Sequence, residues 1–273
     1  MVDGYRGRLA PSPTGYLHMG HAATFWLAQE RCRRRGGTLV LRVEDLDHER
    51  CRPEFVGSLI EDLRWYGLTW DEGPYVQSER MSFYLSAWRK LAAVGAIYPC
   101  TCTRRDVERA ARAPHAGEHE AVYPGTCRPL QPVSVAADGP GLVNWRFRTS
   151  PGTAVAFEDC RAGRQEYVVG RDFADFVVWR RDGVPAYQFA VVVDDAAMRV
   201  TEVVRGEDLL PATAQQILLY QALGHPVPAF YHAPLVHGAD GQRLAKRSGA
   251  HSLRALREAG VDPATLRPAG GPV

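Results

Sequence analysis

The stretch Arg8-Leu9-Ala10-Pro11-Ser12-Pro13-Thr14-Gly15-Tyr16-Leu17-His18-Met19-Gly20-His21 limits what this chain can fold into more than any other. Tyr5 to Ala10 offers a short extended run. Pro11 and Pro13 end it, since each fixes φ and lacks a backbone donor. Gly15 permits a sharp turn, and from Gly20 the pattern becomes helical as far as Arg35, with Gly36-Gly37 as the stop. Ala22, Phe25 and Trp26 are expected on the core face of that helix. Thr38 to Val43 then reads as a largely buried strand, which closes a βαβ unit. Strand, Gly/Pro turn and helix together build a phosphate site in an α/β sheet, because the free amides and dipole of the helix start face an anion. His18 and His21 stand at that start. A lone histidine is more often an ordinary surface or core residue, and it is the turn around this pair that favours a ligand role.

The strand's carboxyl edge carries Glu44-Asp45-Leu46-Asp47. Ligands of open α/β sheets sit at that edge, so Glu44 is read as an amine ligand, and Asp45 and Asp47 as capping or ion-pair residues. A helix starts at Pro53 with the stripe Phe55, Val56, Leu59, Ile60 and Leu63, and Gly67 ends it. Trp70 to Tyr75 reads as a turn-rich connection, and Ser78 opens a helix carrying Tyr84, Leu85, Trp88 and Leu91 to a stop near Gly95. Arg31, Arg33, Arg34 and Arg35 suit the dipole of the first helix and are read as a solvated helix end. Thr103 with Asp106 is a capping box for a short helix. Val143 to Arg148 alternates as a half-buried strand should, and Phe176 to Trp179, Tyr187 to Val193 and Val200 to Val204 follow as strands. A helix from Pro211 to Leu223 stops at Gly224, Leu235-Val236 reads as a strand, and a last helix runs from Ser252 to Gly260.

Composition narrows the classes. A formal charge of +2 excludes a strongly basic nucleic-acid binder and leaves room for a local basic face. Without a charged-then-apolar leader or a long apolar run, a soluble cytoplasmic protein with no membrane partner is expected. Six cysteines are too few for a disulfide framework. Cys100, Cys102 and Cys127 suggest a metal site in a reducing compartment. Three thiolates need a fourth ligand, for which His115 or His119 is the generic choice. Cys32, Cys51 and Cys160 are read as core or surface residues.

Taken in order, these pieces resemble the class I aminoacyl-tRNA synthetases of the glutamyl type. Arg8 to Gly15 is similar to that family's opening, and His18-Met19-Gly20-His21 corresponds to its HIGH element. Arg243-Leu244-Ala245-Lys246-Arg247 stands where the KMSKS element belongs, with Arg42-Val43-Glu44-Asp45-Leu46-Asp47 between the two. The resemblance covers nearly the whole chain. It is nearest to a short paralogous branch, because too few residues follow Lys246 to form an independent anticodon-binding domain.

The fold so implied is α/β, a class I synthetase-type Rossmann nucleotide-binding sheet split by an α+β acceptor-binding-like insertion with a zinc site. Residues 1–75 would be the first half of the catalytic domain, 76–182 the insertion with its zinc-binding segment at 100–127, and 183–250 the second half with the KMSKS-like loop. Residues 251–273 would form a short C-terminal helix and tail. The resemblance also makes Tyr123 the fourth ligand of one structural Zn²⁺, beside Cys100, Cys102 and Cys127.

The implied reaction is tRNA-independent activation of L-glutamate with ATP and Mg²⁺ to glutamyl-adenylate. Transfer follows to the queuosine base at the wobble position, in the anticodon stem-loop of tRNA(Asp). The resemblance carries Arg8, Ala10, Ser12, Glu44, Tyr187 and Arg205 into the glutamate pocket. It carries His18, Gly20, His21 and Lys246 to ATP, with His18, His21 and Lys246 in the catalytic role. No protein nucleophile is needed, so catalysis is positioning plus stabilisation of growing phosphate charge. An arginine can clamp the side-chain carboxylate bidentately, and the sequence does not rank Arg8 against Arg205. Arg243 and Ala245 depart from the family pattern, which has a lysine and a serine there. The competing readings are a truncated synthetase charging a tRNA 3′ end and a non-catalytic tRNA- or amino-acid-binding paralogue. Intact His18, His21 and Lys246 argue against the latter. A monomer is expected.

Overall fold

The computed structural model describes residues 4–103, 105–106, 122–132, 139–235 and 252–268. The first half opens with β1 (Arg6–Leu9), α1 (Met19–Arg34), β2 (Thr38–Val43), α2 (Pro53–Tyr66), β3 (Glu72–Val76) and α3 (Met81–Ala93). The middle of the chain supplies β4 (Ile97–Cys100), β5 (Asn144–Phe147), β6 (Ala154–Asp159), β7 (Gly163–Val168) and β8 (Phe176–Trp179). After it come α4 (Tyr187–Ala197), β9 (Glu202–Gly206), α5 (Leu210–Leu223), β10 (Ala229–Ala233) and α6 (Leu253–Glu258).

β1 pairs in parallel with β2, from Arg6 opposite Thr38 to Leu9 opposite Leu41, and β3 adds in parallel to the far side of β2. β9 starts beside β1, where Thr201 N donates to Arg6 O at 2.8 Å and Arg6 N donates to Thr201 Oγ1 at 2.8 Å. β10 then pairs in parallel with β9. The order β3-β2-β1-β9-β10 is that of a doubly wound sheet, whose ligand crevice opens where the winding reverses, between β1 and β9. A hairpin of β6 and β7 extends the β9–β10 ladder, with Asp159 opposite Phe230. β4, β5 and β8 form a separate antiparallel sheet.

β2 shows why its sequence lacks polar alternation. Leu39, Leu41 and Val43 pack with Leu59, Leu63 and Ala22 in one core, while Val40 faces the second core with Trp88, Phe189 and Ile217. Both faces are covered, so nearly every position is apolar. The exception, Arg42, is fully buried and reaches Asp195 on α4 at 2.6 Å. Gly37 is dictated by a close approach, since a Cβ there would lie 2.4 Å from Tyr5 O.

Several expectations change. Tyr187 to Val193 is helical, not a strand: it opens α4. Its positions from Phe189 to Asp195 are all buried, and such a run carries no period that distinguishes strand from helix. Trp70 to Tyr75 is not simply a turn, because β3 begins within it. The turn-forming Gly73-Pro74 is tolerated on an edge strand, beside an irregularity in the β2 register. The strand expected at Leu235 lies earlier, at Ala229–Ala233, and ends before Pro234. Val236 lies outside the described residues. The β6–β7 hairpin had no counterpart in the sequence reading. Arg31 is not solvated: it is 3% exposed and pairs with Glu202 at 2.6 Å. Other readings hold. Asp45 accepts from Ser78 N and Oγ, Asp47 pairs with Arg50, and Gly67 and Gly224 end α2 and α5 with left-handed φ of 93° and 72°. The Thr103–Asp106 capping box is formed, with Asp106 N donating to Thr103 Oγ1 and Thr103 N to Asp106 Oδ2.

Candidate active site

A cavity of about 360 Å³ opens at the reversal point between β1 and β9. Its lining includes, from the first βα unit, Arg8 at the end of β1, Ala10 and Ser12 in the loop, and His18, Gly20 and His21 at the start of α1. Glu44 comes from the end of β2, Tyr187 from the first turn of α4 and Arg205 from β9. Every expected glutamate- and ATP-contacting residue within the described part of the chain thus meets in one cleft. Lys246, with Arg243 and Ala245, lies outside the described residues. The residues flanking that segment are at the cleft. Leu235 lines it, and Leu253 N donates to Leu17 O at 2.7 Å while Ser252 bridges to His18.

His18 is the N-cap of α1, its Nδ1 accepting from Gly20 N at 3.1 Å. An accepting Nδ1 leaves the ring proton on Nε2. The His18 and His21 rings stack with centroids 3.8 Å apart. Two imidazoles over a helix N-terminus form a surface that favours an oxyanion.

The floor of the cleft is built from charge. Arg42 donates to Asp195 Oδ1 at 2.6 Å and to Glu44 Oε1 at 3.0 Å. Burial alone would lower its pKa, but the carboxylates of Asp195, Glu44 and Asp194 outweigh that and raise it. Asp194 is further held by Gln77, Tyr84 and Arg80. Glu44 is tied down through Oε1, whereas Oε2 has Ser12 Oγ at 3.5 Å. Burial raises the Glu44 pKa against the pull of Arg42, so a cation brought to Oε2 would be welcome.

The two candidate clamps are not equivalent. Arg8 donates to Val204 O at 2.7 Å and lies 3.7 Å from the Asp195 carboxylate. The hydrogen-bonding partners of Arg205 are uncharged: Tyr187, His232 Nε2 at 3.1 Å, Gln216 Oε1 at 2.8 Å, Thr213 Oγ1 at 2.6 Å and Leu209 O at 3.4 Å, while the Asp195 carboxylate acts on it only through its charge. Burial lowers its pKa from the ordinary arginine value. A buried cation held by neutral groups is the better receptor for an incoming carboxylate. Sequence reading missed this supporting set of His232, Thr213 and Gln216, and the one available signal was that a buried Arg205 would need acceptors.

The sulfur cluster is built separately, at the end of β4. Cys100, Cys102 and Cys127 bring their Sγ atoms within 4.8 Å of one another. Tyr123 Oη lies 3.5 Å from Cys100 Sγ and 4.0 Å from Cys102 Sγ, and it accepts from Cys127 N at 2.7 Å. A tetrahedral zinc centre has S···S and S···O edges of roughly 3.8 and 3.5 Å, so these donors fit one with a small closure. His115 and His119 lie outside the described residues. Burial opposes ionisation of Cys127, but hydrogen bonds from Thr101, Cys102 and Tyr123 bring its pKa down to about 6. Burial and the Cys127 contact push Cys102 up to about 11. Arg146 donates to Cys100 Sγ at 3.2 Å and covers the Tyr123 ring at 3.7 Å.

With the fold and both clusters in view, the chain belongs to the class I aminoacyl-tRNA synthetases, a family of ligases: the family profile described as tRNA synthetases class I (E and Q), catalytic domain, matches residues 5–268. Within that family it is similar to two proteins named Glutamyl-Q tRNA(Asp) synthetase. The one from Symbiobacterium thermophilum is 51% identical over 95% of this chain and 83% of its own length. The one from Nitratidesulfovibrio vulgaris is 48% identical over 96% and 83%. The Glutamate--tRNA ligase of Geobacter sulfurreducens is 43% identical over 96% of this chain but only 55% of its own length. Among solved structures, a glutamate tRNA ligase from Elizabethkingia meningosepticum, in complex with its amino acid, superposes with a TM-score of 0.76. It is 29% identical and aligns over 90% of this chain and 53% of its own. Among the described residues no helix is long and apolar enough to cross a membrane.

Proposed function

We propose that this protein activates L-glutamate with ATP, without tRNA, and transfers the glutamyl group to queuosine at the wobble position of tRNA(Asp). One observation carries the activation step. In a single cleft, the carboxylate of Glu44 and the guanidinium of Arg205, hydrogen-bonded to neutral groups, stand beside the His18–His21 helix start. That set of charges matches a substrate with an ammonium, a distal carboxylate and a reacting carboxylate next to a triphosphate. Glu44 Oε2 receives the ammonium, Arg205 the side-chain carboxylate, and Arg8, Ala10, Ser12 and Tyr187 complete the pocket. The free α-carboxylate oxygen attacks the α-phosphorus of ATP, the bond to the bridging oxygen breaks, and pyrophosphate leaves with Mg²⁺. His18, His21 and Lys246 stabilise the charge that grows on the phosphate oxygens, and Gly20 lets the nucleotide approach the backbone. A queuosine hydroxyl then attacks the adenylate carbonyl and AMP departs.

The choice of queuosine and tRNA(Asp) rests on the names of the relatives from Symbiobacterium thermophilum and Nitratidesulfovibrio vulgaris. Recognition of an extruded modified base in a loop is an ordinary mode of RNA recognition. Cys100, Cys102, Tyr123 and Cys127 would hold one structural Zn²⁺, with Arg146 offsetting part of the negative charge of that ligand set. The ion's contribution is to pin the 100–127 segment; no step of the reaction passes through it.

The test supplies ¹⁴C-glutamate and ATP with tRNA(Asp) that contains or lacks queuosine, and separately with tRNA(Glu). Label is expected only on queuosine-containing tRNA(Asp). Incorporation that persists without queuosine, or that appears on the 3′ end of tRNA(Glu), would overturn the choice of acceptor. Absence of glutamate-dependent pyrophosphate exchange would overturn the activation step.

A further inference from the structure

Behind Arg205 lies a buried chain of polar groups that fixes the tautomer of its histidine. Asp159, at the end of β6, and His232, in β10, both have side chains with no solvent exposure. His232 Nδ1 and Asp159 Oδ2 are 2.6 Å apart, and His232 Nε2 faces Arg205 Nε at 3.1 Å. An arginine Nε can only donate, so Nε2 must be the unprotonated nitrogen and the ring proton must sit on Nδ1. There the Asp159 carboxylate accepts it. Burial, with the Arg205 charge, brings the His232 pKa down to about 4, so the ring stays neutral at ordinary pH. Thr213 adds to the set, receiving from Arg205 Nη2 at 2.6 Å, with its own hydroxyl 3.3 Å from Leu209 O and 3.2 Å from His232 Nε2.

We infer that Asp159 and His232 are positioning residues for amino-acid recognition: Asp159 locks His232 in the Nδ1–H tautomer, and the Nε2 lone pair then aims Arg205 into the cleft without neutralising its charge. The inference rests on the reading of Arg205 as the carboxylate clamp. A carboxylate in direct contact with Arg205 would hold it equally well but would cancel the charge that separates glutamate from glutamine. Interposing a neutral imidazole keeps the negative group one residue further back. The hairpin β6–β7 thereby reaches the site, through the single β6–β10 pairing of Asp159 with Phe230.

Asp159→Asn tests this because the geometry favours one seating of the amide. Asp159 Oδ1 accepts from Arg161 N at 3.1 Å and Ala162 N at 2.8 Å, whereas Oδ2 has one backbone donor, His232 N at 3.2 Å, so the amide oxygen is favoured on the Oδ1 side. The NH₂ then faces His232 Nδ1 and forces the proton to Nε2, where it opposes the Arg205 Nε–H and has Thr213 Oγ1, 3.2 Å away, as its acceptor instead. The expected result is a KM for glutamate raised about 30-fold in pyrophosphate exchange, a KM for ATP within about twofold of wild type, and reduced discrimination against glutamine. Histidine ¹⁵N NMR should report Nδ1–H for His232 in the wild type and Nε2–H in the variant. Adding His232→Gln to Asp159→Asn restores an acceptor opposite Arg205 and should return the glutamate KM to within about threefold of wild type. An unchanged glutamate KM despite the tautomer change, or equal rises in both KM values, would overturn the inference while leaving the activation reading intact. So would failure of the double variant to recover. A wild type without glutamate-dependent exchange would overturn both.

Discussion

Replacing Glu202 with glutamine isolates the energetics of the buried pair that ties β9 to α1. Glu202 is 4% exposed and accepts from Tyr5 Oη at 2.7 Å and from Arg31 Nε and Nη2 at 2.7 and 2.6 Å. Arg31 has no easy escape to water, being 3% exposed and stacked 4.1 Å from the Tyr231 ring centre. Removing one partner of a buried pair typically costs about 3–5 kcal/mol. Glutamine keeps one acceptor oxygen but turns an NH₂ toward Arg31 or Tyr5, which places the loss near the lower end, about 3 kcal/mol. For a chain of this size that is a fall in Tm of roughly 6–12 °C, and about 1 M in the urea midpoint. The pH dependence carries a sign. The hydrogen bonds from Arg31 and Tyr5 outweigh burial and hold the Glu202 carboxyl below the usual glutamate range. A depressed folded-state pKa contributes stability that is present above the unfolded value of about 4.3 and is lost as pH falls through the folded value. The gap between wild type and Glu202→Gln should therefore be full at neutral pH and narrow below about pH 4, where the protonated acid resembles the amide. Urea melts at several pH values measure it. A loss under about 1 kcal/mol at neutral pH, or a gap that does not narrow in acid, would refute the reasoning. Joint replacement, Arg31→Met with Glu202→Leu, should recover most of the loss because no charge is left stranded.

Other outcomes follow from the same contacts. Arg205→Lys loses the planar fork and should raise the glutamate KM by about 100-fold in pyrophosphate exchange; a change below about threefold would argue that Arg8 is the clamp. Lys246→Ala should lower pyrophosphate exchange by about 100-fold, and normal exchange would remove Lys246 from the mechanism. Cys127→Ala should abolish stoichiometric zinc in protein purified without chelator, read by mass spectrometry of the metal, and an undiminished zinc content would dismiss the proposed site. Gly37→Ala, whose methyl would meet Tyr5 O at 2.4 Å, should cost about 1–3 kcal/mol by thermal melt. Gly36→Ala, left-handed at φ 59° with open space around it, should cost about 1 kcal/mol.

What could be read from the sequence, and what could not, divides along a physical line. The β1–turn–α1 unit, Glu44, and the stops at Gly67 and Gly224 depend on residues close together in the chain, so local chemistry reveals them. α4 was misread because its apolar run is buried on every side, and burial on every side erases periodicity. β3 was hidden by Gly73-Pro74, which only an edge position makes acceptable. Arg31 was misjudged because its acceptor, Glu202, lies far along the chain. A cluster of arginines at a helix end looks the same in sequence whether water or a buried carboxylate receives it. The β6–β7 hairpin was missed and β10 placed too late for a related reason: short, mixed strands are defined by their partners more than by their own residues.

The same division explains why the cleft's lining was legible and its support was not. Residues that meet a small ligand at the reversal of a doubly wound sheet come from the ends of strands and the starts of helices, where motif and structure coincide. The groups that orient them come from whatever packs behind. Arg42 reaches Asp195 on α4, and Arg205 reaches His232 on β10 and Thr213 and Gln216 on α5. Those partners decide what each arginine can do. Arg42 is surrounded by the carboxylates of Glu44, Asp194 and Asp195, as a scaffold would be, and Arg8 is partly answered by Asp195. Arg205 alone among these three makes its hydrogen bonds only to neutral groups. The proposed ranking of Arg205 over Arg8 as the clamp therefore rests on the charge of the residues standing behind each arginine, which no motif records.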